Sequence, residues 1–424
     1  CAGQRWKPIL ELPNIGTMTW ELGPPELDEC VCVMPPDLKT PTPSEALLAR
    51  LVGFATVSRT PNQPLIDFVV AELEAIGART SIDRGPDGRS NLYASLGPAD
   101  VAGVVLSGHS DVVPVAGQHW TTSPFELTED GGRLYGRGTA DMKGFLACAL
   151  VALADAAKRT LRTPLHLAIS YDEEVGCVGV RTLLEQLATA PVKPKFCIVG
   201  EPTSMGVAVG HKGKQAFCAT FTGREAHSAL APSGLNAVQL AAEFCLGLQE
   251  LQNELARHGP YDDGYEVAYS TVHVGQFEGG VALNIVPNEA RVTYEIRSVP
   301  QQDVNTLCKR IAAIAENIVA PHQMTFAEAN VEIENLSSYP GLETPTNEEV
   351  VQFVKSLTGA NATSKVAFGT EGGLFAEALD VPVVICGPGS MAQGHKPDEY
   401  VTREQLSRCD QMLTNLVAAL ERGV

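Results

Sequence analysis

The stretch Val104-Val105-Leu106-Ser107-Gly108-His109-Ser110-Asp111-Val112-Val113-Pro114 decides how this chain reads. A short apolar run rich in β-branched residues breaks off at an imidazole and a carboxylate. Such a run reads as a buried strand, and in an open α/β sheet ligands bind beyond the C-terminal ends of the strands. His109 can offer a ring nitrogen to a metal. Asp111, two residues on, shares its side of an extended segment and can accept the other ring N–H. Taken alone, a His-x-Asp pair serves equally well as a satisfied polar pair at a strand end.

Outward from this stretch, strand-like runs at 91–96, 165–171, 195–200 and 381–385 alternate with helical patterns at 142–158, 180–188, 348–357 and 403–420. A helix with Ser44 as its N-cap and another closed by Gly77 precede them. This rhythm predicts an α/β fold, a helix-flanked and mainly parallel sheet. It is interrupted after Gly210, where 214–222, 269–275 and 290–297 read as strands and 235–254 and 304–318 as helices. The order β-α-β-β-α predicts a separate α+β insert of ferredoxin-like type. The expected organisation is therefore a first catalytic part at 41–210, the insert at 211–324 and a second catalytic part at 325–424. Residues 1–40 hold six of the 28 prolines and two of the three tryptophans, and read as an irregular extension.

Lys and Arg total 31 against 50 Asp and Glu in 424 residues, a formal charge of −19. That balance argues against nucleic acid or an anionic membrane as partner, since both demand a basic footprint. The weakly charged stretch 144–154 is far short of the roughly 20 residues that cross a bilayer. Eleven cysteines, mostly scattered singly, read as reduced thiols of a cytoplasmic protein rather than a disulfide framework.

Three further segments place acids at strand ends. Gly136-Arg137-Gly138-Thr139-Ala140-Asp141-Met142-Lys143-Gly144 lacks the spacing of a phosphate loop, and an acid at Asp141 would repel phosphate. The run 165–171 delivers Asp172-Glu173-Glu174, adjacent carboxylates that repel one another unless a cation or a shared proton intervenes. The next run ends in Gly200-Glu201-Pro202-Thr203, and Gly394-His395 follows the run at 381–385. His109, Asp141, Glu174, Glu201 and His395 make a mixed nitrogen and oxygen set that suits two zinc or other borderline divalent ions, with one carboxylate shared. Glu173 cannot point the same way as Glu174, which leaves it free to act as general base.

With these segments in place, the chain resembles the family of co-catalytic zinc aminoacylases, carboxypeptidases and deacetylases, most closely its acetylornithine deacetylase branch. GHSDVVP at 108–114, GRGTADMKGF at 136–145, YDEEVGCVGV at 171–180, GEPT at 200–203 and GHKPDEY at 394–400 carry the resemblance, which runs from about residue 44 to the end. It implies that His109, Asp141 and Glu201 hold one ion, that Asp141, Glu174 and His395 hold the other, and that the Asp141-Met142 peptide is cis. The ions would be zinc, with cobalt as a substitute.

The resemblance also implies a homodimer whose insert acts as lid and dimerisation domain, with His227 of one copy reaching into the site of the other. Asn284 and Arg297 would bind the substrate's carboxylate, and Glu371 would line the side-chain pocket, where it could pair with a cation. The implied function is hydrolysis of an N-acyl amino acid, foremost N-acetylornithine to ornithine and acetate in arginine biosynthesis. A deacylase of the N-succinyl-diaminopimelate type and a metallo-carboxypeptidase or dipeptidase are the alternatives. A non-catalytic binding protein of the same fold would show a gap in the ligand set, and none of the seven positions is missing.

Overall fold

Residues 40–424, the part of the chain that the computed structural model describes, are organised around one sheet buried on both faces and another buried on one. The first runs in the order Arg79–Arg84, Ser90–Leu96, Leu165–Ser170, Val104–His109, Phe196–Pro202, Val383–Gly387, Val207–His211 and Leu342–Glu343, and Thr363–Val366 also pairs with Val207–His211. It is parallel through its centre and antiparallel toward both edges, except that Thr363–Val366 runs parallel to Val207–His211. Every residue of Val104–His109 and Phe196–Pro202 is buried, which is why these strands read as unbroken apolar runs.

Alternate residues feed two cores. Val104, Leu106 and Ile198 pack against the helices Pro43–Val52, Gln63–Ala75, Lys143–Ala156, Glu349–Thr358 and Arg403–Arg422. Val105, Cys197 and Val199 pack against Val180–Ala188 and Gly372–Leu379. Burial of each such valine or leucine contributes about 1.5–3 kcal/mol. Gly200 sits where a Cβ would lie 2.0 Å from the Phe145 ring, so its missing side chain lets that helix approach the strand carrying Glu201.

The second sheet has four antiparallel strands in the order Thr271–Gly279, Glu289–Ser298, Gly213–Thr222 and Asn330–Tyr339. Along Glu289–Ser298 burial alternates with period two. Ala290, Val292, Tyr294 and Ile296 face the helices Ala237–His258 and Val304–Val319, and Arg291, Thr293, Glu295 and Arg297 face away. Its fourth strand, Asn330–Tyr339, lies beyond the expected boundary at residue 324.

A third, small sheet joins Tyr400–Thr402, Arg133–Tyr135 and Thr128–Asp130, which fastens the segment after His395 to the one before Asp141. The first described helix is capped by Thr42, whose hydroxyl accepts from Glu45 N while Glu45 reaches back to Thr42 N, a complete capping box. Ser44, expected at that position, lies inside the helix and donates to Asp410 instead. Gly77 adopts the left-handed conformation just past the second helix, at φ 82°. The reading of residues 1–40 falls, apart from Thr40, outside the described residues. No helix among the described residues is long and apolar enough to cross a membrane.

A candidate metal centre at the strand ends

The C-terminal edge of the parallel strands gathers seven of the expected residues. His109 ends its strand fully buried, with Nδ1 donating to the Asp111 carbonyl at 2.9 Å. That bond leaves Nε2 facing Asp141 Oδ1 at 3.1 Å and Glu201 Oε1 at 3.6 Å. On the other side, His395 Nε2 lies 3.2 Å from Asp141 Oδ2 and 2.9 Å from Glu174 Oε2. Asp141 therefore presents one oxygen to each imidazole, the arrangement of a shared ligand. The Asp141-Met142 peptide is cis.

The electrostatics show a site that wants positive charge. Burial pushes Glu173 and Glu201 well above the carboxylate range, and Glu174 and Asp141 respectively add to it by repulsion. Glu174 is pushed up to about 7 by burial and by Asp141. Hydrogen bonds donated to Asp141 and Glu174 raise His395 to about 10. His109 is raised well above its ordinary value although burial opposes its charge, because Asp111 and Asp141 outweigh that cost. Protons accumulate where cations would relieve the same repulsion. Glu174 Oε1 is buried without a hydrogen-bond partner, a free lone pair in the midst of this cluster. Donor atoms of His109, Glu173 and Glu201, and of His109, Asp141 and Glu174, lie within 4.8 Å of one another. The residues present thus fit divalent ions with nitrogen and oxygen ligands.

Asp111 meets His109 through its main chain as well as its carboxylate. The nearest acceptor for the His109 ring N–H is the Asp111 main-chain carbonyl, and the carboxylate Oδ1 is farther, at 3.5 Å. Its carboxylate also accepts from Glu173 N at 3.0 Å, Glu174 N at 3.4 Å and the Ser58 hydroxyl at 2.7 Å. Asp111 thus fixes the backbone of the acid pair. The Cys177 thiol in turn donates to Glu173 Oε1 at 3.3 Å.

Glu399 was not singled out from the sequence, yet it organises half the site. Its buried carboxylate accepts from Gly138 N, Ala140 N and Asp141 N at 3.1, 2.9 and 3.1 Å, and from Arg137 Nη1 at 2.6 Å. Arg137 also donates to Gln118, which donates to the His395 carbonyl at 2.9 Å. The two loops that carry Asp141 and His395 are therefore one hydrogen-bonded unit.

A cavity of about 130 Å³ opens above these donors, lined by Asp141, Glu173, Glu174, Glu201 and His395 on one side. Lys214, Arg297 and Tyr339 line it from the four-stranded sheet, with Phe368 and Gly369 from the loop before Glu371. Of these, Arg297 is the residue the sequence offers for a substrate's carboxylate, and Lys214 and Tyr339 stand beside it. His227 and Asn284 lie next to each other, with Ser228 N donating to the Asn284 carbonyl at 3.0 Å, but both are exposed and neither lines the cavity. Glu371 departs from expectation. It is 1% exposed, receives hydrogen bonds from Ser107 at 3.2 Å and from Ser170, and lies under the strands rather than in the cavity. A carboxylate this deeply buried, with a serine hydroxyl on each oxygen, is out of reach of a substrate cation.

Residues 105–419 match the Peptidase family M20/M25/M40. The chain is 35% identical over 379 residues to acetylornithine deacetylase of Myxococcus xanthus, covering 88% of this chain and 96% of that protein. It is 32% identical to acetylornithine deacetylase of Photorhabdus laumondii, covering 90% and 98% respectively. Among solved structures, an M20 family metallo-carboxypeptidase from Sulfolobus solfataricus superimposes with a TM-score of 0.71 at 18% identity, covering 90% of this chain and all of that one. An aminopeptidase from Bacillus cereus gives 0.70 at 20% identity, covering 89% and 98%. At these identities the two structures speak to the fold.

Proposed function

The chain belongs to peptidase family M20/M25/M40, and from that membership we propose that it removes an N-acyl group, foremost acetyl, from an α-amino acid, with N-acetylornithine the leading substrate. The observation that carries this reading is a cavity with a carboxylate and imidazole cage on one wall and Arg297 on the other. Such a site can engage an amide and a free carboxylate at once. The full-length likeness to acetylornithine deacetylases supports acetyl and ornithine over the alternatives.

His109, Asp141 and Glu201 would hold one divalent ion, and Asp141, Glu174 and His395 the other. Two such ions, zinc in this reading, supply Lewis acidity toward the amide oxygen and make water a stronger acid. Glu173 does the proton work. Its carboxylate, held by Asp111 through the backbone and by Cys177 at Oε1, takes a proton from the attacking water and gives it to the leaving amine nitrogen. Water adds across the C–N bond, and the products are a carboxylate and a free amino acid. Arg297 orients the substrate by its carboxylate. His227 and Asn284, side by side on the insert and absent from this chain's own cavity, would serve the site of a second copy in a homodimer, with His227 aimed at the oxyanion.

Turnover of a panel of N-acyl amino acids and dipeptides, with metal content determined in parallel, tests the proposal. The expected outcome is fastest hydrolysis of N-acetylornithine, lost on chelation and restored by zinc. Faster cleavage of dipeptides would replace the deacetylase reading with a peptidase one.

A further inference from the structure

The wall opposite the cage is a single rung of the four-stranded sheet. Arg297 pairs directly with Lys214, and Lys214 with Tyr339, across three adjacent strands. Residues directly opposed on neighbouring strands present their side chains on the same face. All three line the cavity. Their charges are not equivalent. Arg297 is engaged at every nitrogen, with Nε and Nη2 on the two oxygens of Glu295 at 3.0 and 3.3 Å and Nη1 on the Tyr339 hydroxyl at 3.0 Å. This fork pairing neutralises the guanidinium and fixes it in place.

The Lys214 ammonium is not engaged in this way. Its nearest carboxylate among the described residues is Glu295 Oε2 at 3.8 Å, outside hydrogen-bond range. Two cations and one anion leave the rung with one positive charge, and that charge sits on the residue free to move toward a ligand. Glu371, the acid expected to receive a cationic group, is sealed beneath the sheet. The far wall of the cavity thus has the charge of a subsite for one anion.

We infer that Lys214 is the direct counter-ion of the substrate's α-carboxylate, with Arg297 and the Tyr339 hydroxyl held beside it as prealigned donors. The assignment rests on the deacylase reading and adds to it the residue that selects substrates with a free carboxylate. It acts on binding rather than on the reacting atoms. Removing it should raise KM while kcat changes far less, the signature of lost uniform binding.

Two measurements test it on the metal-loaded full chain. Lys214→Met should raise KM for N-acetylornithine about ten- to hundred-fold, the range for losing a hydrogen bond between charged groups. The same variant should lower the preference for N-acetylornithine over its α-carboxamide by a similar factor, and Lys214→Arg should recover most of both. In a Glu173→Gln background, calorimetric titration with N-acetylornithine should show the matching loss of affinity on Lys214→Met, independent of turnover. An unchanged KM and Kd overturns the assignment, as does an equal loss with acid and amide, or a Lys214→Arg variant as impaired as Lys214→Met. A parent protein that neither hydrolyses nor binds any N-acyl amino acid overturns the deacylase reading itself, and the assignment with it.

Discussion

The cage and the rung face each other across one small cavity, yet they are built on opposite principles. The cage is tightly held. The side chains of His109, Asp141, Glu174 and Glu201 are at most 6% exposed, His395 alone among the five ligands opens to solvent, and Asp141 is fixed by Glu399 through the backbone and by two imidazoles. The rung is shallow and partly wet, with 22% of Lys214 and 29% of Arg297 side-chain surface exposed. Like charge is concentrated in the first and must be balanced from outside, whereas the second carries cations already half balanced by Glu295. The contrast teaches where chemistry and selectivity are kept apart: burial strengthens electrostatic effects on a reacting bond, and a half-buried cation on a separate sheet can follow a ligand without disturbing the ligands of a metal.

The sharpest way to break this contrast is Glu173→Gln. If the cage does the chemistry, kcat falls by about 10²–10⁴ or more with metal content and KM for N-acetylornithine near the parent's. A KM effect like that expected of Lys214→Met would erase the distinction between the two walls. Next in size is Glu399→Ala, which strands three backbone N–H groups and the buried Arg137 guanidinium. Breaking a buried ion pair costs about 3–5 kcal/mol. Urea unfolding should show a loss of that order, with weaker zinc binding, and a surface-sized effect would mean that the Asp141 loop is held some other way.

The smallest effect concerns the sheet under the cage. Burial holds His166 down to about 4, with Arg79 adding to the shift. Its folded value lies below the unfolded one of about 6.5, so the unfolded chain takes the proton first. This contribution is therefore fully present above about pH 6.5 and is lost as the pH falls toward 4. His166→Asn should flatten the decline in stability over that window, measured as Tm against pH beside the parent. Parallel curves would mean that the imidazole is not held neutral.

What the sequence discloses follows the same division. The cage was legible because each ligand sits in a short contiguous segment, with His109, Glu174 and Glu201 just after an apolar run and Asp141 and His395 in glycine-containing loops. The rung was not, since Lys214, Arg297 and Tyr339 become neighbours through strand register alone. Tyr339 was hidden further because the alternation of Val331 and Ile333 lapses after Glu334, where the bulge at Asn335–Ser337 shifts the register before Tyr339. Glu399 escaped for another reason: its partners are backbone N–H groups, which every residue carries, so no side-chain pattern announces them. Glu371 shows the converse, an acid placed in the pocket by resemblance whose carboxylate is held by buried serines on two neighbouring strands. Thr42 is readable in principle, since Glu45 follows it three residues later as a capping box requires.

The small sheet that fastens Tyr400–Thr402 to Arg133–Tyr135 has a consequence in time as well as in space. His109 and His395 are separated by most of the chain, and Glu399, which shapes the Asp141 loop, comes later still. During synthesis the parallel strands through Phe196–Pro202 can pair long before that segment emerges, but the centre cannot close until it does. A nascent chain would therefore carry a cluster of mutually repelling carboxylates with neither its second imidazole nor its loop clamp. The enzyme becomes competent to load ions close to the moment the helix Arg403–Arg422, which follows Tyr400–Thr402 directly, docks.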